Sequence, residues 1–550
     1  MPPEPTVASP AYPLLIKHVL ASGVNRAPAQ EIVCADKRRM TYREFDARVN
    51  RLATGLASLG IGPRSTVGVM DWDSHRHLEC FFAVPMMGAV LHPINVRLSP
   101  EQLLYTINHA EDDVILVNSE FLPLIEQIWD RVDTGKRLVL MDDRGEAIPT
   151  ALPIAAEYEG MLARSDEQFV FPDFEEETRA TTFYTAGTTG MPRGVYFSHR
   201  QLVLHTLALR GALAGAGKLV DEDVYMPITP MCHVHAWGLT YVATLAGVKQ
   251  VYPGRYAPGR LVELVRSERV SLSHCVPTIL QAVLDRAASE DVDLAGWTVI
   301  VGGSALAQSL ARRALDAGVD ILAAYGMSET GPVLTLAPVQ PGMRNSSRAA
   351  ELHVQCSAGR PIPMVELRIV DAAMNELPRD GTSVGEVVVR APWLTRGYFR
   401  DAAGSAKLWE GGWLHTGDIG VIDADGHLRI TDRIKDVIKT GGEWISSLQV
   451  EDLLLRHPTV AEAAVIGLPD PKWTERPFAV LVLKPGHALD EKEVKAHLAG
   501  YAATGTISRY GVPDRIAFVD ALPRTSIGKV DKKLLRAWFA TDPRQWESQA

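Results

Sequence analysis

The run Thr181-Thr182-Phe183-Tyr184-Thr185-Ala186-Gly187-Thr188-Thr189-Gly190-Met191-Pro192-Arg193-Gly194 constrains this chain more than any other stretch. Ala180 to Tyr184 is β-prone and half apolar, so it reads as the end of a strand. The loop that follows carries three glycines, several threonine hydroxyls and one arginine. Glycine lets the backbone turn through positive φ and approach a ligand closely. Consecutive N–H groups in such a turn form an anion nest, and hydroxyls add donors. Together they make a polyphosphate cradle. It is not the Walker pattern, because no G-x-x-x-x-G-K-[ST] occurs here. The plain alternative is a flexible Gly/Thr surface turn.

The flanking chain supplies a frame for such a cradle. Thr41 with Glu44 forms a capping box, and Phe45, Val49, Leu52, Leu56 and Leu59 follow at helical spacing to a stop at Gly60. Thr66–Met70 reads as a strand, 75–87 as a helix, 89–91 as a strand, and Ser99-Pro100 opens another helix before the strand Val114–Val117. This alternation argues parallel α/β layers. Residues 143–178 read as acidic and irregular, and 202–213 as a helix. Further on, strands at 270–275, 297–301 and 321–325 alternate with helices at 278–288 and 307–318. The loops after Thr185, Val301 and Tyr325 all fall at strand ends, where open α/β sheets bind ligands. From about 352 the pattern changes to short strands at 366–370, 385–390 and 427–430, as in a β-barrel-like unit, and a small α+β unit follows.

Four runs stand in a telling order: the loop above, Tyr325-Gly326-Met327-Ser328-Glu329-Thr330, Gly412-Trp413-Leu414-His415-Thr416-Gly417-Asp418, and Pro523-Arg524-Thr525-Ser526-Ile527-Gly528-Lys529. In order and spacing they resemble the adenylate-forming superfamily, which contains acyl-CoA synthetases, peptide-synthetase adenylation domains and luciferases. The resemblance covers nearly the whole chain. The run Lys439-Thr440-Gly441-Gly442-Glu443-Trp444-Ile445-Ser446-Ser447 is similar to the fatty-acyl-CoA synthetase branch. The fold this implies is α/β. A large N-terminal domain, residues 1–434, has layered α/β subdomains plus the β-barrel-like subdomain. A small mobile α+β C-terminal domain, residues 435–550, hinges at Lys435.

The resemblance also implies a reaction and its residues. ATP activates a carboxylic acid to an acyl-AMP, and the acyl group then passes to CoA with release of AMP. Thr185, Ala186, Gly187, Thr188, Thr189, Gly190 and Arg193 would hold the phosphates, and Thr185 with Glu329 would contact Mg²⁺. Tyr325 would stack on adenine, bordered by Gly303, Ser304, Gly326, Met327, Ser328 and Thr330. Asp418 would accept from the ribose hydroxyls, with Arg433 on the ribose or α-phosphate side. Lys529 would bridge the carboxylate and the α-phosphate in the first step. For the second step the small domain would swing about Lys435, presenting Gly441, Gly442, Glu443 and Trp444 to pantetheine. Lys439, Glu443 and Trp444 would also hold that domain against the nucleotide. His233, counted with the catalytic residues, and Trp237 lie four apart as on one helical face. They would form the wall and gate of an acyl pocket bordered by Val301, Gly302 and Gly326. One departure is that Arg193 stands where most members carry lysine. Arginine keeps the charge but presents a planar fork.

Cys232, His233 and His235 suggest a metal site, but their spacing is cramped and no fourth ligand is evident. A net charge of −10 disfavours nucleic acid as partner. The five cysteines are scattered and never C-x-x-C, which suits free thiols in a reducing compartment. No stretch is long and apolar enough to span a bilayer, so the expected location is cytoplasmic. The branch resemblance allows a homodimer. Small residues near the expected acyl path (Gly238, Gly302, Gly303, Ala323, Ala324) leave room for a chain or a ring; the branch resemblance implies a medium- or long-chain fatty acid, with a cyclic, aromatic or methylthio acid as alternative. Loading of a separate carrier protein and luciferase-like oxygenation are rival enzyme readings. A non-catalytic acyl- or nucleotide-binding module should have lost Lys529, Glu329 or Asp418, and all three are present.

Overall fold

Capping chemistry starts several helices where the sequence places them. Thr41 accepts from the Glu44 N–H while the Glu44 carboxylate accepts from the Thr41 N–H, and the helix Tyr42–Ser58 follows. Ser99 and Gln102 do the same for Pro100–Ala110, and Ser198 and Gln201 for His199–Gly215. Each such cap stabilises its helix by about 1 kcal/mol. The last helix begins earlier than the apolar spacing suggests, because the Ser198–Gln201 box lies ahead of the periodic residues.

The computed structural model describes residues 11–133, 137–143, 149–185, 191–339, 347–440, 443–525 and 529–540. They form two compact units, one of 11–185, 193–255 and 392–400, the other of 191–192, 256–391 and 401–540. In the first, a seven-stranded sheet runs in the order Ile154–Glu157, Leu138–Met141, Val114–Asn118, Thr66–Met70, Val90–Pro93, Arg179–Thr185, Arg193–Ser198. The first six strands pair in parallel and the last two form an antiparallel hairpin. The helix His75–Met86 is buried along its whole length, its polar first turn included, with Arg76 and Glu79 paired to charges from neighbouring segments. One expectation fails here. Residues 143–178 are not all irregular: Ile154–Glu157 adds an edge strand, and Tyr158–Ala163 is a helix capped by Glu157. Burial of Tyr158, fully enclosed, anchors this segment despite its acidic composition.

In the second unit, Leu272–Cys275, Thr298–Val301 and Asp320–Gly326 pair in parallel, and Val333–Ala337 returns antiparallel to the last of them. The short strands expected beyond residue 352 form a four-stranded antiparallel sheet in the order Glu366–Val370, Gly385–Arg390, Leu414–Ile422, Leu428–Arg433. A five-stranded sheet follows, built around the long hairpin Val460–Asp470 and Thr474–Leu483. Alternation along that hairpin makes two cores. Ala463, Val465, Ala479 and Leu481 pack with the helices Ser447–Leu455 and Glu491–Ala503. Ala464, Ile466, Phe478 and Val480 pack with Leu535 and Phe539 of the helix Lys532–Ala540. Residues on both sides of Lys435 belong to this second unit.

Candidate active site

The carboxyl ends of the parallel strands in the second unit carry the motif residues. Val301 pairs with Ala323, so the turn at Gly302-Gly303-Ser304 lies beside the strand that ends at Tyr325-Gly326. Gly303 has φ of 81°, a turn conformation that suits glycine. Gly326 is required for a different reason. A Cβ there would sit 1.8 Å from the Pro332 carbonyl oxygen, so no side chain fits. The Thr330 hydroxyl accepts from the Met327 N–H at 3.0 Å and donates to the Pro332 carbonyl at 2.5 Å. This closes the turn Ser328–Thr330, which carries Glu329, 7% exposed.

A polar chain links this turn to the antiparallel sheet. The Tyr325 hydroxyl donates to Asp418 Oδ2 at 2.8 Å, and Arg433 Nε lies 3.1 Å from Asp418 Oδ1. Asp418 and Arg433 face each other across paired strands. The Asp418 N–H is accepted by the Thr416 hydroxyl, which donates to the Val387 carbonyl at 2.7 Å. Burial, and then the Asp418 carboxylate, push the Tyr325 phenol well above its usual range, so it remains a donor. Burial works against the Arg433 charge, but Asp418, Asp436, Tyr325 and Glu329 outweigh it and raise its pKa.

Lys529 shares the electrostatic surroundings of these residues. Arg524 and Val530 bridge antiparallel, and the Thr525 N–H donates to the Lys529 carbonyl at 2.7 Å. Desolvation, and then repulsion from Arg433 and Lys435, lower the ammonium pKa to about 8 against attraction from Asp418 and Glu329. The electrostatic partners of Lys529 thus include Glu329 and Asp418, from two of the other motif runs, together with Arg433 and Lys435. Lys435 itself is exposed, and desolvation followed by Arg433 lowers its pKa.

The other expected residues are placed less tightly. Lys439 is exposed on the strand Ile438–Thr440, and its N–H donates to Glu475 Oε2 at 2.9 Å. Glu443 accepts from the Ser508 hydroxyl at 2.5 Å, and Trp444 pairs through its backbone with Lys439. Ala186, Gly187, Thr188, Thr189, Gly190, Gly441 and Gly442 lie outside the described residues. In the first unit, Thr185 ends its strand opposite Arg193. The preceding Tyr184 hydroxyl shares a hydrogen bond with His109 Nδ1 at 2.8 Å. The Arg193 guanidinium lies 4.8 Å from the centre of the Tyr398 ring, a cation–π contact.

His233 and Trp237 do not lie on one right-handed helical face. Val234, His235, Ala236 and Trp237 have φ of 49°, 55°, 48° and 58°, a left-handed turn. Each such residue costs about 1–2 kcal/mol. Burial holds the turn: His235 is fully enclosed among Phe81, Phe183 and Tyr241, and its Nε2 shares a hydrogen bond with Thr181 Oγ1 at 2.9 Å. Desolvation first, then His205 and His77, lower the His235 pKa to about 3, so the ring is neutral. Among the described residues no three His, Cys, Asp or Glu side chains group to hold a metal ion, and Cys232 and His235 do not converge on one with His233. None of the described helices is long and apolar enough to cross a membrane.

The family described as AMP-binding enzyme matches residues 20–399, and its C-terminal domain matches 449–529. The chain belongs to the AMP-binding enzyme family. This is the adenylate-forming superfamily that the motifs resemble. Among its relatives, a long-chain-fatty-acid–CoA ligase of Thermus thermophilus is 42% identical over 506 residues, 91% of this chain and 90% of that protein. A 3-methylmercaptopropionyl-CoA ligase of Ruegeria pomeroyi is 41% identical over 496 residues, 89% of this chain and 90% of that protein. Among solved structures, ATP-bound MatB from Rhodopseudomonas palustris superposes with a TM-score of 0.83 at 26% identity, covering 96% of this chain and 99% of that one. The mixed α/β architecture is therefore the family's, with a large N-terminal part of several sheets and a small C-terminal part.

Residues the motif reading passed over also meet here. Asp432 and Asp436 bracket Lys435, and Lys532 and Arg536 approach them from the helix Lys532–Ala540. Lys532 and Arg536 share one face of their helix by i, i+4 spacing, but Asp432 and Asp436 lie on a strand and the turn after it, so no local pattern joins the two pairs.

Proposed function

We propose that the protein is an AMP-forming acyl-CoA synthetase acting on a medium- or long-chain fatty acid. The reading is carried by one observation: Lys529, from the end of the chain, shares an electrostatic environment with Glu329, Asp418 and Arg433. In the first step a carboxylate oxygen attacks the α-phosphorus of ATP. The bond to the bridging oxygen breaks, and pyrophosphate leaves with the electron pair. Two anions must meet, so the step needs fixed cations. Lys529 and Arg433 supply them, Asp418 accepts from the ribose, and Tyr325 both orients Asp418 and offers its ring to adenine. In the second step the CoA sulfur attacks the acyl carbon, AMP leaves, and the thiol proton goes to solvent.

Mg²⁺ takes hard oxygen donors, and the Glu329 carboxylate, buried in its own unit, and the Thr185 hydroxyl are each of that chemical type. Bound with ATP, it would neutralise charge on the phosphate oxygens. Arg193 serves the phosphates from the hairpin, and His233 with Trp237 serves the acyl chain. Residues 435–550 act as the mobile domain, pivoting at Lys435 to exchange Lys529 for the segment at Glu443 and Trp444. A methylthio acid is the second reading, favoured by the 41% identity to a 3-methylmercaptopropionyl-CoA ligase.

The test is AMP release from purified protein with Mg-ATP and CoA across straight-chain, methylthio, cyclic and aromatic acids. A chain-length optimum among straight-chain acids, with acyl-CoA as product, supports the reading. A preference for 3-methylthiopropionate moves it to the second. Adenylate formed without acyl-CoA would overturn CoA as acceptor and point to a carrier protein.

A further inference from the structure

The proposed pivot at Lys435 sorts the surrounding contacts into two classes. Contacts between residues that both follow Lys435 travel with the small domain. Arg536 to Asp436 at 2.8 Å, Lys532 to Glu451 at 2.7 Å, and Lys532 to the Ser447 hydroxyl at 2.7 Å are of this kind. Arg433 to Asp418 lies wholly before the pivot and stays behind. Contacts that cross the pivot must break when the domain turns.

One buried carboxylate makes such a crossing contact. Asp432 is 2% exposed, and its Oδ2 accepts from the Ser447 N–H at 2.5 Å. Its Oδ1 accepts from the Ser447 hydroxyl at 3.1 Å and from the Arg433 N–H at 2.7 Å. Ser447 is the first residue of the nine-residue helix Ser447–Leu455. The carboxylate therefore meets the positive end of that helix dipole and a free N–H. A second crossing bond runs beside it, from the Ser446 hydroxyl to the Thr431 carbonyl. Lys532 supplies a nearby positive charge to Asp432, and Glu451 is the like-charged neighbour. Lys532 lies three residues beyond Lys529, so the helix that carries it continues directly from the Lys529 turn.

We propose that Asp432 is a positioning residue for the first half-reaction: its bonds to Ser447 latch the small domain in the orientation that places Lys529 beside Glu329, Arg433 and Asp418, and they open for the second. The inference rests on the reading of Lys435 as pivot and Lys529 as the first-step cation. Asp432 touches neither substrate nor Lys529. It acts through the population of one orientation, and a contact made in only one of two states shifts the balance by its full differential strength. Arg536–Asp436 and Lys532–Glu451 then keep the turning body rigid, so the motion is confined to Arg433, Ile434 and Lys435.

The two half-reactions separate the latch from a structural role. ATP–pyrophosphate exchange with a fatty acid reads the first, and acyl-CoA formation from preformed acyl-adenylate and CoA reads the second. Asp432→Ala is expected to lower exchange roughly 10- to 100-fold, the loss of two bonds to a charged acceptor. Thioester formation should stay the same or quicken. Asp432→Asn keeps an acceptor for the Ser447 N–H and should fall between. Equal losses in both half-reactions would make Asp432 a plain structural residue, and no loss in either would make the contact incidental; each result overturns the proposal. If thermal melting shows that Asp432→Ala does not fold, Ser447→Ala must show the same split in smaller measure, and its absence overturns the proposal too. Lys529→Ala runs alongside. Exchange undiminished in that variant would refute the first-step role of Lys529 itself, separately from the latch.

Discussion

Lys529 holds its proton weakly before ATP arrives. Its pKa of about 8, against 10.5 for a free lysine, comes from desolvation and then from Arg433 and Lys435. Only the charged form can stabilise the anionic transition state, so kcat/KM for ATP in the exchange reaction should fall as pH rises through about 8. Arginine stays charged throughout this range. Lys529→Arg should therefore be slower overall but lack that descending limb, and a shared limb would show that another group titrates. Stability moves the other way. Between about 8 and 10.5 the unfolded chain binds more protons than the folded one, so this group favours the folded state increasingly as pH rises. Lys529 was legible because only one lysine stands in the Pro-x-x-x-x-Gly-Lys run. Asp432 was not, because its partner at Ser447 is joined to it only through folded chain.

The hairpin Arg179–Thr185 and Arg193–Ser198 is braced by the segment 392–400. Val195 pairs with Tyr398, and the Phe399 N–H donates to the Gly194 carbonyl at 2.8 Å. A Cβ at Gly194 would lie 3.1 Å from Phe399 Cβ, so the close approach leaves little room for a side chain. Tyr398 thereby offers its ring face to Arg193, which suits a planar guanidinium better than an ammonium. Tyr398→Leu should raise KM for ATP roughly two- to tenfold at near-constant kcat, the strength of one cation–π contact. Tyr398→Phe should restore the wild-type value, and in an Arg193→Lys background the leucine penalty should shrink. Exchange kinetics across the four variants check this, and equal penalties in both backgrounds would sink the coupling. The sequence marked Arg193 as unusual but offered no hint of Tyr398. The turn Val234–Trp237 is the converse case, where a spacing that suits a right-handed helix folds left-handed because buried His235 is held by Thr181.

The first unit depends on charge buried in its core. Arg48 donates to Glu79 at 2.6 and 3.2 Å and to Glu159 at 2.9 Å, and the Tyr158 hydroxyl donates to Glu79 at 2.6 Å. Arg76 joins Glu159 to Asp143, at 2.9 and 2.7 Å. These groups tie together the helices Tyr42–Ser58, His75–Met86 and Tyr158–Ala163 and the chain just after the strand Leu138–Met141. Glu79 is fully enclosed, so Glu79→Ala would leave the Tyr158 hydroxyl without its acceptor and Arg48 with the half-buried Glu159 as its remaining carboxylate partner. The expected cost is about 3–5 kcal/mol of stability. Urea or thermal unfolding should register it while KM for ATP in the surviving fold changes little. A variant as stable as the parent would mean that water or a rearranged Glu159 replaces the lost carboxylate.

Much of the element order, the strand-end loops and the Thr41–Glu44 capping box were legible in the chain before folding, because periodicity and caps act over ten or so residues, and the order of the four motif runs carried the family resemblance. Thr41 with Glu44, the strand Thr66–Met70 and the strand Gly385–Arg390 fall where local pattern puts them. Tertiary structure alone decided which charges meet: Asp418 with Tyr325 and Arg433, Asp432 with Ser447, Arg536 with Asp436, and Arg193 with Tyr398. It also decided the hand of the turn at His235 and the order within Ile154–Ala163. Such choices depend on sheet register and on the cost of burying an unpaired polar group, and both exist only once distant segments have been brought together.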